Sequence, residues 1–137
     1  MSGYQDIFIA IAVQQWEPMV QFYHHVLGKA PTPDIPGSYA EFKAGSLKVG
    51  LFLPKEDHQL EFAHPSQSAM SLCLEVENLE RSRHIIDTAY DALHQMGYKP
   101  LGNHRRYGKI AIASHGRECY AYDPDGNRLI LHEGITE

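Results

Sequence analysis

At 137 residues, 43% of them hydrophobic, the chain is large enough for one domain or for two small halves sharing a sheet, with a buried core. A net charge of −5 argues against a nucleic-acid binder, because neutralising phosphates takes a basic face, and the one basic cluster is Arg105-Arg106 with Lys109. The longest apolar run, Ile7 to Val13, falls far short of the roughly 20 residues that cross a bilayer.

The N-terminus lacks the basic start and long apolar segment of a secretion signal. Phe8-Ile-Ala-Ile-Ala-Val13 alternates in the manner of a strand. A helical pattern follows, with Trp16, Val20, Tyr23 and Leu27 on one face and Gly28 as its stop. PTPDIPGS (31–38) is a Pro-rich loop, and LKVGLFLP (47–54) is an aliphatic strand. The polar stretch KEDHQLEFAHPSQS (55–68) joins this half to the next. Ser71-Leu-Cys-Leu-Glu-Val76 is a second strand, followed by a second helical face of Ile86, Ala89, Leu93 and Met96 that Gly97 stops. Tyr107 to Tyr122 reads either as one hairpin or as two strands with a turn at His115-Gly116. DPDG (123–126) is a tight turn: proline fixes φ at the second position and glycine accepts the left-handed geometry that follows. RLILHE (128–133) is the last strand. Cys73 and Cys119 lie in strand patterns without metal spacing and suit a reducing compartment, which points to the cytoplasm.

The order is repetitive. Phe8–Val13 matches Ser71–Val76, and each is followed by a helix that ends at glycine. Tyr39-Ala40 and Tyr120-Ala121 each stand six residues ahead of a glycine, Gly45 and Gly126, and an aliphatic strand follows each. Strand, helix and several strands are therefore written twice, over about 6–54 and 70–133, with a linker at about 55–69. This doubled βαβββ unit, with FYHHVLG (22–28) after the first strand and ECYAYDPDGN (118–127) before the last, resembles the vicinal oxygen chelate superfamily. That superfamily includes glyoxalase I, extradiol dioxygenases, and fosfomycin- and bleomycin-resistance proteins. The resemblance implies an α+β fold in which two βαβββ repeats form a cupped mixed β-sheet, with helices on the outer face and ligand or metal inside. It also implies a homodimer.

Alternation along each strand then sorts the side chains. Ile9, Ile11, Val13, Val49, Leu51, Leu72, Leu74, Val76, Leu129 and Leu131 belong to the helix side. Phe8, Ala10, Ala12, Lys48, Gly50, Phe52, Ser71, Cys73, Glu75, Arg128, Ile130 and His132 face the cup. Metal-using relatives carry His, Glu or Gln ligands at positions that correspond here to Phe8, Gly50, Ser71 and Ile130, which offer a cation next to nothing. Glu133 has the wrong parity for the cup. A displaced site built from His132 with Glu75 or Glu118 is the remaining route to a metal, weighed against a rim histidine that is solvated or hydrogen-bonded.

Tyr120 matches a cup-facing tyrosine of the fosfomycin-resistance branch, weighed against a core tyrosine with a satisfied hydroxyl, and Tyr39 is taken as its repeat partner. His24, His25, His84 and His94 lie on outer helix faces, His58 and His64 in the joining loop, and His104 and His115 in loops near the cup mouth. Arg117 and the Arg105-Arg106 pair are candidates to clamp an anion. Cys73 faces the cup with nothing nearby in sequence to activate it.

The expected pocket is apolar and aromatic, with Phe8, Tyr39, Phe52, Ser71, Tyr120, Ile130 and His132 on its wall, no metal and no cofactor. The function that follows is metal-independent binding of a small, aromatic molecule, with neither nucleic acid nor membrane as partner. The alternative is a glyoxalase-like lyase or isomerase, or a dioxygenase, with the displaced metal site or with metal-free acid–base chemistry.

Overall fold

The computed structural model describes residues 3–99 and 104–135. The chain divides into two compact units, Met1–Ala63 and His64–Glu137. In the first, β1 (Ile9–Ala12) leads to α1 (Trp16–Leu27), then to β2 (Asp34–Ile35), β3 (Tyr39–Ala44), β4 (Leu47–Phe52) and a 3-10 helix over Glu56–Phe62. In the second, a short 3-10 turn (Pro65–Gln67) precedes β5 (Leu72–Val76) and α2 (Leu79–Gln95), and β6 (Ala111–Ala113), β7 (Gly116–Tyr122) and β8 (Arg128–Gly134) complete the unit. The fold is α+β, a βαβββ unit written twice. Among the described residues no helix is long and apolar enough to cross a membrane.

Both units have the same sheet topology. The strand orders are β1-β4-β3-β2 and β5-β8-β7-β6. In each, the first strand runs parallel to the fourth, as a strand followed by a crossover helix requires, and the remaining neighbours are antiparallel. The segment 107–122 resolves as a hairpin, β6–β7, turning at Ser114-His115. The Pro-rich loop contains the short strand β2, which proline-rich composition concealed.

Strand alternation works as the sequence implies. Val49, Leu51, Leu129 and Leu131 are at most 1% exposed, while Phe8 and Tyr120 on the opposite parity are each 45% exposed. The buried stripe of α1 is broader than the 16, 20, 23, 27 pattern. Met19, Val20, Phe22 and Tyr23 are buried, and Trp16 and Leu27 are only half-buried, because the helix sinks two adjacent ridges into its sheet. On α2, Leu79, Ile86, Ala89, Tyr90 and Leu93 are buried. Met96 is exposed, because the helix ends at Gln95 before that face can be used again.

The turn at 123–127 is held by the fully buried Asp123. Its Oδ1 accepts from the backbone N–H groups of Asp125 (3.1 Å) and Asn127 (2.9 Å), and its Oδ2 accepts from Asn127 Nδ2 at 2.8 Å. Gly126 has φ 95°, the left-handed value that the fourth residue of DPDG was expected to supply. Leu131→Ala should therefore cost about 2–5 kcal/mol in urea unfolding, the range for truncating a closed-packed aliphatic. Ile112→Ala, at a side chain 91% exposed, should stay within about 0.5 kcal/mol of wild type.

Candidate functional site

Each sheet has one face covered by its helix and one open face, and registered partners share a face. On the open face of the first unit, Ala12, Phe52 and Tyr39 form one row, and Ala10, Gly50 and Glu41 form the next. On that of the second, Cys73, Ile130 and Tyr120 form one row and Glu75, His132 and Glu118 the next. These rows correct one sequence inference. Tyr39 stands beside Phe52, two residues past Gly50, whereas Tyr120 stands beside Ile130. With Gly50 and Ile130 equivalent, the repeat partner of Tyr120 is Glu41, and that of Tyr39 is Glu118. Counting forward to a turn glycine misaligned the repeats because β3–β4 and β7–β8 have connections of different length.

The four positions that carry ligands in metal-using relatives are engaged internally or apolar. Tyr39 lies across Gly50, and a Cβ on Gly50 would fall 2.7 Å from the Tyr39 hydroxyl oxygen. That hydroxyl donates to Glu41 Oε1 at 2.9 Å, and burial, then Glu41, push its pKa up. The Ser71 hydroxyl accepts from Arg128 Nε at 2.8 Å, and Arg128 Nη2 also donates to the Ser68 carbonyl at 3.0 Å. Phe8 has the Lys48 ammonium 5.8 Å from its ring centroid, and Lys48 bridges to Asp6 at 3.0 Å. Ile130 lies between Cys73 and Tyr120. A divalent ion needs several oxygen, nitrogen or thiolate donors converging on it. These positions present a hydrocarbon, a tyrosine-covered glycine, a serine already bonded to a guanidinium, and another hydrocarbon, so they do not fit one.

His132 and Glu75 do come together. His132 Nδ1 is 2.6 Å from Glu75 Oε2, and Nε2 is 3.2 Å from the His115 carbonyl oxygen. Both ring nitrogens are therefore committed to protein acceptors, and Glu118 stands opposite in register. The hydrogen bond that His132 makes to the Glu75 carboxylate raises the His132 pKa above its ordinary value. Among the described residues no group of three or more His, Cys, Asp or Glu is arranged to hold a metal ion. The Cys73 thiol, exposed on the same face, is pushed up by burial and by Glu75 and Glu118, which leaves it a weak nucleophile.

Other candidates have different work. Arg117 is no anion clamp, because its guanidinium is already held by two carboxylates. Nε and Nη2 donate to Glu133 at 2.9 and 2.8 Å, and Nη1 and Nη2 donate to Glu80 at 2.9 and 3.0 Å. Glu133, on the helix side, also accepts the Leu79 N–H at the start of α2 at 2.9 Å, so it binds a helix N-terminus where the dipole favours an anion. Arg106 likewise donates to Asp87 and Asp91, and Arg105 lies over the Tyr122 ring. His104 is drawn to α2, against the Tyr90 hydroxyl and the Asp123 carbonyl, while Tyr90 donates to the Tyr122 carbonyl. His24, His25, His58, His64, His84 and His94 are exposed.

Sequence reasoning missed one cavity. Within the first unit a hollow of about 350 Å³ lies among Ala12, Val13, Leu53, Pro54, Leu60 and Phe62, and the Phe62 ring meets Phe52 edge-on at 5.6 Å. The 3-10 helix forms one wall, tied back by Gln14 Nε2 donating to the Phe62 and Ala63 carbonyls at 3.3 Å. Leu60 and Phe62, apolar in an otherwise polar stretch, were the available signal.

The sequence profile of the glyoxalase/bleomycin resistance protein/dioxygenase superfamily matches residues 7–131. The chain belongs to this superfamily. No curated protein matches it by sequence. Among solved structures, a glyoxalase-related enzyme from Fulvimarina pelagi is similar with TM-score 0.68 at 17% identity, covering 95% of this chain and 88% of that one. A bleomycin-binding protein complexed with bleomycin has TM-score 0.58 at 16% identity, covering 96% and 100%. A fosfomycin resistance protein from Mesorhizobium loti has TM-score 0.58 at 15% identity, covering 98% and 95%. At these identities the likeness concerns the superfamily fold alone.

Two predictions follow from this geometry. Gly50→Ala should displace the Tyr39 ring and cost about 1–3 kcal/mol in denaturant unfolding. Most of that cost should vanish in a Tyr39→Ala background, measured as a double-mutant cycle. Arg117 holds the Glu133 and Glu80 carboxyls below their ordinary pKa. Their contribution to stability is present above the ordinary carboxylate range and is lost as pH falls through the depressed values. Arg117→Met should therefore be destabilised at pH 7, with the difference from wild type closing in acid.

Proposed function

We propose that the chain is a metal-independent small-molecule binding protein, holding an apolar, aromatic ligand against the open sheet face of a unit. Phe8, Tyr39 and Phe52 serve in the first unit, and Ser71, Tyr120, Ile130 and the His132 ring edge in the second. The observation that carries this reading is the internal filling of the ligand-bearing positions. The Tyr39 phenol takes the space over Gly50, and the Arg128 guanidinium takes the Ser71 hydroxyl. A divalent cation at either Phe8 or Ser71 meets a resident positive charge, Lys48 or Arg128, where relatives have donors. Lewis-acid polarisation and water activation need a held ion, whereas sequestration needs only a concave apolar surface with a few polar groups. The hollow beside Phe52 extends such a surface in the first unit. One structural relative was solved with bleomycin bound, so the fold accommodates a role of this kind.

The same reading includes a homodimer, as other small members of the superfamily pair, and a cytoplasmic location, which suits the two unpaired thiols Cys73 and Cys119. Sedimentation equilibrium at micromolar concentration checks the first, and fractionation of the host cell the second.

The test is a thermal-shift screen of chelator-treated protein against aromatic compounds, with bleomycin among them. A ligand specific to the native state at 100 times its Kd stabilises by about 2.7 kcal/mol. Tyr120→Ala and Phe52→Ala should each weaken the compound found by about 10-fold, or about 1.4 kcal/mol, in calorimetry. Stoichiometric nickel, zinc, manganese or iron in protein purified without chelator, together with turnover of a hemithioacetal or a catechol, would overturn the reading.

A further inference from the structure

His132 sits on β8 between Glu75 of β5 and Glu118 of β7. Its two ring nitrogens point at two groups that can only accept: the Glu75 carboxylate (2.6 Å) and the His115 backbone carbonyl (3.2 Å). A neutral imidazole has one N–H and satisfies only one of them. The imidazolium has two and satisfies both. The residue is only 9% exposed, so water is a poor substitute for a lost partner. His115 lies in the Ser114-His115 turn between β6 and β7, and its ring stacks on that of His132 with centroids 4.5 Å apart.

We infer that His132 is a proton-operated latch on the β6–β7 turn: as the imidazolium it pins the His115 carbonyl, and on losing its proton it releases that carbonyl. The proton that leaves is the one on Nε2, because the charge-assisted bond to Glu75 keeps the one on Nδ1. The bare Nε2 lone pair then faces the carbonyl lone pairs, and attraction becomes repulsion. The charged and titratable groups around the ring agree with this. Glu75 and Glu118 both favour the cation. The Cys73 thiol, on the same face of β5, has its pKa raised by burial and by Glu75 and Glu118. Glu133, the next residue of β8, lies on the helix side with Arg117 and Glu80. Among the described residues, His115 is the imidazole stacked on the His132 ring. Because the folded-state pKa of His132 is raised, the latch is closed below the ordinary imidazole range and opens as pH rises through the raised value. His132 is also one of the residues proposed to line the binding surface, but the latch operates without a ligand.

Ring-nitrogen and backbone-amide NMR across pH 5.5 to 9.5 tests it, on wild type, Glu75→Gln and His115→Phe. In wild type both His132 nitrogens should be protonated at pH 6, with a midpoint above the ordinary value of about 6.5. The amides of Ser114 to Gly116 should move with that same midpoint. Glu75→Gln should lower both midpoints together, and since Glu75 is an exposed strand residue the variant should fold. His115→Phe removes the second titrating ring and keeps the carbonyl, so the turn amides should still follow His132. A singly protonated His132 ring at pH 6 would overturn the latch. So would turn amides that follow the His115 ring in wild type, or that fall silent in His115→Phe. The wild-type midpoints alone decide the matter if a variant fails to fold.

Discussion

A β-strand sends alternate side chains to opposite faces, and here one face of each sheet is sealed under a helix. Val49, Leu51, Leu129 and Leu131 lose nearly all contact with water because their parity puts them beneath α1 or α2. Moving any of these strands by one residue would exchange buried leucine and valine for glycine, lysine or arginine, so register is strongly specified. Once register is set, the residues on the other face follow without further choice. Gly50, Ile130, Glu75 and His132 occupy the open faces because their neighbours are needed in the core.

This is also why so much of the fold was legible in the sequence. The strands at 9–12 and 72–76, the two helices ending near Gly28 and Gly97, and the tight turn at 123–126 each carry a local signal: alternation, a 3.6-residue stripe, or a residue with special backbone freedom. What escaped was non-local. The two-residue strand β2 is made by pairing with β3, and nothing in PTPDIPGS announces it. The offset between Tyr39 and Tyr120 depends on how far each strand runs before it turns, which a motif search does not measure. His104 and Arg117 looked like loop groups free to meet a ligand, but partners more than a dozen residues away in sequence had already claimed them. Of the site, the parity of its residues was readable and the bonds that commit them were not.

The two repeats carry different residues and different internal bonds on their open faces. In the first unit the open face is closed over by an aromatic ring on a glycine, and the ionic groups there, Lys48 and Asp6, neutralise each other. In the second, Arg128 is drawn to Ser71 and His132 to Glu75. Tyr39 and Glu41, Ser71 and Arg128, and Glu75 and His132 have each found an internal mate, while Phe8, Phe52, Tyr120 and Ile130 keep their hydrocarbon surface.

The ring over Gly50 has a consequence for anyone wishing to convert this scaffold into a metalloenzyme. Introducing glutamate or histidine at positions 8, 50, 71 and 130 would not suffice by itself, because any side chain at position 50 must push the Tyr39 ring aside. Redesign is better begun from the neighbouring strand, trimming the tyrosine before a donor is installed. By the same logic, bulk gained at position 50 and bulk lost at position 39 are coupled changes, and neither strand can be altered there without regard to the other.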